Sequence, residues 1–265
     1  MSAAAMPAPE DLVLRADADG IATLTLNRGH ARNALSLGLM AALHGALDAI
    51  RDDRAVRVVV LRGAGPAFCA GHDLKEMRAD PSAGAVEAVF AACSALMLAI
   101  TRLPQPVIAE VHGIATAAGC QLVATCDLAV CAEEARFATP GVQIGLFCST
   151  PMVALSRAVP RKAALEMLLL GEPIEAAEAL RIGLVNRVVP AADLAASVQA
   201  MAARIAAKAP RVLAIGKEAF ARQNELGLEE AYAYASAVMT RNMLMDEAAE
   251  GIDAFLQKRP PRWEA

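Results

Sequence analysis

Apolar and polar positions alternate over Leu12 to Arg15 and again over Ile21 to Asn27, on either side of Asp19-Gly20. This pattern with that turn pair predicts a β-hairpin. Ser36 then stands ahead of Met40, Leu43, Leu47 and Ile50, the spacing of an N-capped amphipathic helix. The β-branched run Val56 to Leu61, closed by Gly63, predicts a strand. A second helix is expected from about Ala85 to Leu103, stopped by Pro104 and Pro106, with a strand over Val107 to Val111. Directly after that strand, the small residues of Gly113 to Asp127 predict a helix from Ala117 to Thr125, and Leu128 to Cys131 returns to strand. The alternation specifies an α/β fold.

After Val188 the period becomes helical throughout, over Leu194 to Ala207, Val212 to Asn224, Glu229 to Met245 and Glu247 to Gln257. We therefore divide the chain into a disordered tail (1–10), an α/β core (11–192) and a C-terminal helical region (193–265) that packs on its own domain or on a neighbouring subunit.

Composition narrows this picture. The chain has 265 residues, 56% hydrophobic, with mean hydropathy +0.40, enough to bury one sizeable core. A net charge of −4 and scattered Lys and Arg give no basic surface for nucleic acid. Charges or prolines interrupt each apolar stretch, so no membrane span is expected. The first ten residues lack the basic start and apolar block of a secretory signal and contain no Arg. Six cysteines, at 69, 93, 120, 126, 131 and 148, form no Cys-x-x-Cys pair. Cys120, Cys126 and Cys131 have no histidine at ligand spacing, so buried thiols and no metal are expected, in a reducing, cytoplasmic compartment.

The candidate chemistry sits in two segments. Gly113-Ile114-Ala115-Thr116-Ala117-Ala118-Gly119-Cys120-Gln121 opens a helix with small residues, and a helix start offers free N–H groups and positive dipole to an anion. Phe68-Cys69-Ala70-Gly71-His72-Asp73-Leu74-Lys75-Glu76-Met77 is a second tight run. Together they resemble the two-part oxyanion hole of the enoyl-CoA hydratase/isomerase (crotonase) superfamily. The resemblance runs from about Ala22 to Lys258 through Leu26-Asn27-Arg28, Asn33-Ala34-Leu35, Pro106-Val107-Ile108-Ala109, Cys126-Asp127, Phe137-Ala138-Thr139-Pro140, Gly145-Leu146, Gly183-Leu184-Val185 and Phe255-Leu256-Gln257-Lys258-Arg259. The pattern is most similar to the enoyl-CoA hydratase domain-containing subgroup.

That resemblance implies a spiral of ββα units, a C-terminal helical trimerisation region, and a homotrimer or dimer of trimers. It implies an acyl-CoA substrate, with no cofactor beyond the coenzyme A that the substrate carries. The oxyanion donors would be the backbone N–H groups of His72 and Ala118. Ala70 and His72 through Asp73, Leu74 and Lys75 would form the wall along the thioester and pantetheine arm. Arg28 and Ala31 would lie near the nucleotide end, and Lys258 would add a phosphate contact across a subunit interface.

Hydratases of this family hold water between two glutamates; the matching positions are Gln121 and Gly141. Glutamine does not titrate and glycine has no side chain. Each positioned acid or base contributes about 10²- to 10⁴-fold, so ordinary hydration is expected to be very slow. Cys148 and Ser149, in a loop where some relatives carry an aspartate, are substitute candidates; the competing reading is a loop that caps a helix starting near Pro151. His72, which would titrate near neutral pH, is a third substitute candidate; the competing reading is a hydrogen-bonding surface residue beside a turn. Asp73 and Asp127 read as capping or salt-bridging groups. Two functions follow: an enzyme that stabilises a thioester enolate, or a non-catalytic acyl-CoA-binding or regulatory protein.

Overall fold

The computed structural model describes residues 12–263, so the expected tail 1–10 lies outside the described residues. Asp19 and Gly20 both have positive φ, 53° and 77°, as a type I′ turn requires. They join β1 (Val13–Ala18) to β2 (Ile21–Leu26) in the expected antiparallel hairpin, with Val13 opposite Leu26. Ser36 Oγ accepts from the Leu39 N–H at 3.2 Å and starts α1 (Leu37–Arg51).

The remaining strands are β3 (Val58–Gly63), β4 (Ala67–Cys69), β5 (Val107–Val111), β6 (Ile114–Thr116), β7 (Leu128–Ala132), β8 (Arg136–Ala138), β9 (Ile174–Glu175) and β10 (Arg187–Val189). Among them lie α2 (Leu74–Ala79), α3 (Ala83–Arg102), α4 (Ala118–Thr125), α5 (Pro151–Ala158), α6 (Arg161–Leu170) and α7 (Ala176–Arg181). One sheet has the order β1-β2-β3-β5-β7-β10, parallel from β2 onward; the other is β4-β6-β8-β9, parallel except for β9. Each successive pair β3/β4, β5/β6 and β7/β8 sends one strand to each sheet and is followed by helix. This is the expected spiral of ββα units.

The short strand β6 corrects one expectation: the small-residue helix does not follow β5 directly. Three-residue strands carry too little alternation to be read from sequence, which is also why β4 and β8 escape notice.

The larger sheet is covered on both faces, so β3 reads as an unbroken apolar run. Val59 and Leu61 point into the main core, whereas Val58 and Val60 meet Leu194, Val198, Met201 and Ala202 of α8 (Leu194–Ala206). Thus α8, although within the helical region 193–265, completes the core. Beyond it, α9 (Pro210–Gln223) and α10 (Leu228–Met243) contain no buried residue, and α11 (Asp246–Leu256) buries only Glu247 and Ala254. Phe220, Leu228, Tyr232 and Phe255 are 70% or more exposed on these helices. The tie back to the core is polar: Lys217 Nζ donates to Ile100 O, Gln105 O and Asp127 Oδ2 at 3.0, 3.2 and 2.6 Å. The same carboxylate oxygen accepts from the Val107 N–H, the structural role expected of Asp127.

By length and composition, α3 (20 residues, hydropathy 2.0) could cross a membrane, contrary to the expectation that each apolar stretch is too short. Its Val89, Cys93, Leu96 and Ile100 face nevertheless lies in the main core.

The tightest packing is between α4 and β4, where a Cβ on Gly119 would run into the Cys69 carbonyl. Gly119→Ala is expected to cost about 3 kcal/mol or more. Gly45→Ala, at an exposed position in α1 with nothing within 4 Å, is expected to gain about 0.5–1 kcal/mol. Urea unfolding followed by circular dichroism compares the two.

Candidate functional site

Two backbone donors converge where β4 and β6 end. Leu35 and His72 form an isolated parallel bridge: the Leu35 N–H donates to Gly71 O at 2.8 Å and the Asp73 N–H to Leu35 O at 3.1 Å. In such a bridge the central residue's own N–H turns away, and that of His72 has no partner among the described residues. The second donor is the N–H of Ala118, the first residue of α4, which has no intrahelical acceptor. Ala117, the residue before it, gives its own N–H to Ala138 O at 2.8 Å.

Ala117 has φ 50° and ψ −117°, the first central position of a type II′ turn, where glycine is favoured. An alanine held there stores on the order of 1–3 kcal/mol of strain in the peptide that carries the Ala118 N–H. The two segments touch. A Cβ on Gly71 (φ 89°) would lie 2.9 Å from Ala117 Cβ, 3.0 Å from Thr116 O and 3.4 Å from Ala118 N. Thr116 Oγ1 donates to Ala70 O at 3.0 Å and closes the seam.

The adjoining wall is held by side chains. Arg28 donates to Asp73 Oδ2 at 2.8 Å and to Ala34 O at 2.7 Å. The other Asp73 oxygen accepts the Lys75 and Glu76 N–H groups and caps α2. Partial burial pushes the Asp73 carboxyl up, but Arg28 and the α2 N–H groups outweigh it and leave its pKa below the usual value. Asp73 therefore both caps and salt-bridges, as expected. Leu74 and Lys75 are exposed at the start of α2. The Arg28–Arg32 turn, with Ala31, is joined to Ala70, whose N–H donates to Arg32 O.

Asn33, the first residue of Asn33-Ala34-Leu35, has a structural role that the motif does not disclose. Fully buried, it accepts from the Arg28 N–H and donates to Ala64 O, Ala67 O and Phe68 O, tying that turn to β4. Its signal in sequence is only a side chain that tolerates positive φ, here 54°.

Gln121 is buried one turn along α4 from Ala118; its Oε1 accepts from the Cys93 thiol at 3.7 Å. Gln121 also lines a cavity of about 1310 Å³ between α3, α4, α5 and α9, with Met97, Leu98, Val153 and Phe220 among its walls. Gly141 is filled in rather than open: a Cβ there would lie 2.9 Å from both Cys148 Sγ and Leu146 O. Burial pushes the Cys148 thiol up, only partly offset by the Gly141 N–H. Desolvation here outweighs the helix start, which counts against Cys148 as a substitute candidate. Ser149 is exposed, and its hydroxyl and N–H both turn to Phe147 O. Neither Ser149 nor Lys258 is bonded to the site among the described residues.

His72 also departs from expectation. Its imidazole does not hydrogen-bond at the surface: Nε2 is sealed from solvent without a partner, and the ring stands edge-on to Phe90 of α3, with centroids 5.4 Å apart at 87°. Burial lowers its pKa. Burial raises the nearby thiols, Cys69 and Cys120 to about 12 and Cys93 to about 11. These are inert buried thiols, as the cysteine pattern suggested.

Comparison with known proteins agrees with this architecture. The sequence profile of the enoyl-CoA hydratase/isomerase family matches residues 16–265. Human enoyl-CoA hydratase domain-containing protein 3, mitochondrial, is 47% identical over 245 residues, covering 92% of this chain and 81% of that protein. Its crystal structure superposes with TM-score 0.92, covering 95% of this chain and all (100%) of that one. An enoyl-CoA hydratase structure from Mycobacterium smegmatis is 56% identical with TM-score 0.93, covering 96% of this chain and 99% of that one.

Because the folded Asp73 pKa is depressed, its ion pair stabilises the protein fully above the unfolded carboxyl value near 3.9. That contribution is lost as pH falls through the folded value. Asp73→Asn is accordingly expected to cost about 1 kcal/mol or more at pH 7, with the difference from wild type fading in acid. Urea unfolding at a series of pH values measures it.

Proposed function

The chain belongs to the enoyl-CoA hydratase/isomerase family, and from that premise we propose that it binds an acyl-CoA thioester with the carbonyl oxygen on the N–H groups of His72 and Ala118. The observation that carries this reading is the pair of donors without an acceptor among the described residues, on two segments that meet at Gly71. Loss of an α-proton moves an electron pair onto the thioester oxygen. Two fixed donors then hold the enolate, and losing one donor typically costs about 10²- to 10³-fold in rate.

In this reading Ala70, His72, Asp73, Leu74 and Lys75 line the thioester and pantetheine arm. Arg28 and Ala31 border the nucleotide end, where Arg28 acts by holding Asp73 in place. The acyl chain passes Gln121 toward the cavity beside α3 and α9. The exposed apolar residues of α9, α10 and α11 form subunit contacts in a homotrimer or dimer of trimers, from which Lys258 reaches a neighbour's coenzyme phosphate. A cytoplasmic location remains our proposal beside the mitochondrial label in the name of the human relative.

The class of activity is hydratase-like, but water addition is expected to be weak, since Gln121 does not titrate and Cys148 fills the space at Gly141. That packing favours a second reading, an acyl-CoA-binding protein without chemistry. Titration calorimetry with saturated and unsaturated acyl-CoAs, followed by incubation in D₂O and mass spectrometry, separates the two. Binding with deuterium incorporation or double-bond migration is expected; binding with unchanged substrate favours the second reading, and no binding overturns both. Gln121→Glu, which restores one carboxylate, is expected to raise hydration measurably above the wild-type level.

A further inference from the structure

We infer that the His72 imidazole is the proton-transfer group of this site, standing in for the carboxylates absent at Gln121 and Gly141. The inference rests on the acyl-CoA reading above.

A buried polar nitrogen without a partner costs about 1–3 kcal/mol, and His72 Nε2 is in that state, with the ring held edge-on to Phe90 rather than by a hydrogen bond. Phe90 and Cys93 are one turn apart on α3, Cys93 donates to Gln121 Oε1, and Gln121 is one turn from Ala118 on α4. Successive contacts thus lead from the imidazole through Phe90, Cys93 and Gln121 to the first turn of α4. The residue that supplies the imidazole also supplies the other backbone donor. An acyl group whose carbonyl oxygen sits on the two N–H groups brings its α-carbon next to His72 and the first turn of α4.

Among the neighbouring side chains the other groups are unsuited to proton transfer near neutral pH. Gln121 does not titrate, and the Cys93 thiol is pushed up to about 11. The Asp73 carboxylate, adjacent in sequence, is committed to Arg28 and the start of α2, where Lys75 and Glu76 also lie. Burial keeps the imidazole neutral, with a lone pair available, at pH 7.

The step balances without a co-reactant. Imidazole takes the α-proton, the C–H pair becomes the enolate C=C bond, and the carbonyl π pair moves to the oxygen held by His72 and Ala118. The imidazolium then returns a proton to the α-carbon, giving exchange, or to the γ-carbon of a β,γ-enoyl thioester, giving double-bond migration. The substrates are acyl-CoAs with an acidic α-hydrogen, and no water is added.

His72→Gln keeps the backbone N–H and removes the base. With butanoyl-CoA and but-3-enoyl-CoA in D₂O, the variant is expected to bind within about threefold of wild type, while α-exchange and migration fall about 10²- to 10⁴-fold. The wild-type exchange rate should rise through a single ionisation below pH 6.5 and then level, and the variant should lose that inflection. Should His72→Gln unfold, His72→Ala with added imidazole serves instead, and restored exchange supports the inference. Equal exchange in variant and wild type, or wild-type binding without exchange, overturns the role of His72 and leaves the acyl-CoA reading standing. Absence of binding by the wild type removes both.

Discussion

The approach of α4 to the ends of β4 and β6 governs the geometry of the site. Gly119 lies against the Cys69 carbonyl and Gly71 against Ala117 and Thr116, with no room for a Cβ at either place. This contact brings the bridge at His72 within reach of the first turn of α4. It also holds Ala117 in a backbone state that an alanine avoids when free. The surrounding structure over-determines that strain: Ala117 is bonded to β8, Thr116 to Ala70, and the Arg28–Asn33 turn to β4 through the Asn33 side chain. The N–H groups of His72 and Ala118 are left without acceptors among the described residues.

The interior around those donors is neutral. Its thiols are protonated, Gln121 carries no charge, and Asp73 is turned toward Arg28. In a desolvated setting of this kind, fixed N–H dipoles act on a developing anion more strongly than they would in water. The replacement at Gly141 is coordinated with its surroundings, because Cys148 packs into the volume that a side chain would need. Restoring a carboxylate there would require the 145–149 loop to move.

The C-terminal helices divide by energetics. Apolar burial fixes α8 to the sheet, whereas α9 is tied to the body through Lys217, which serves two carbonyls and Asp127. Burial pushes the Asp127 carboxyl up, and Lys217 with the Val107 N–H counters that rise. Large apolar side chains on α9, α10 and α11 remain uncovered within the chain, a surface of the kind that marks association.

Much of the fold was legible locally. Asp19-Gly20 specifies a type I′ hairpin, Ser36 accepts the N–H three residues on, and the apolar periods locate α1, α3 and the four C-terminal helices to within a few residues. The family motifs named His72, Ala118, Gln121 and Gly141. These signals are readable because turn chemistry, capping and helical periodicity each act within a few residues of chain. The second sheet was not legible, since its strands are two or three residues long and are defined by partners distant in sequence. Nor did sequence indicate that Cys148 closes the space at Gly141, that Asn33 ties a turn to β4, or that the His72 imidazole is sealed against Phe90. Local sequence thus determined the hairpin, α1, α3, α4, the C-terminal helices and the candidate site residues. Tertiary packing alone decided which side chains were desolvated and which N–H groups were left free, because both depend on segments that meet only after the spiral has closed.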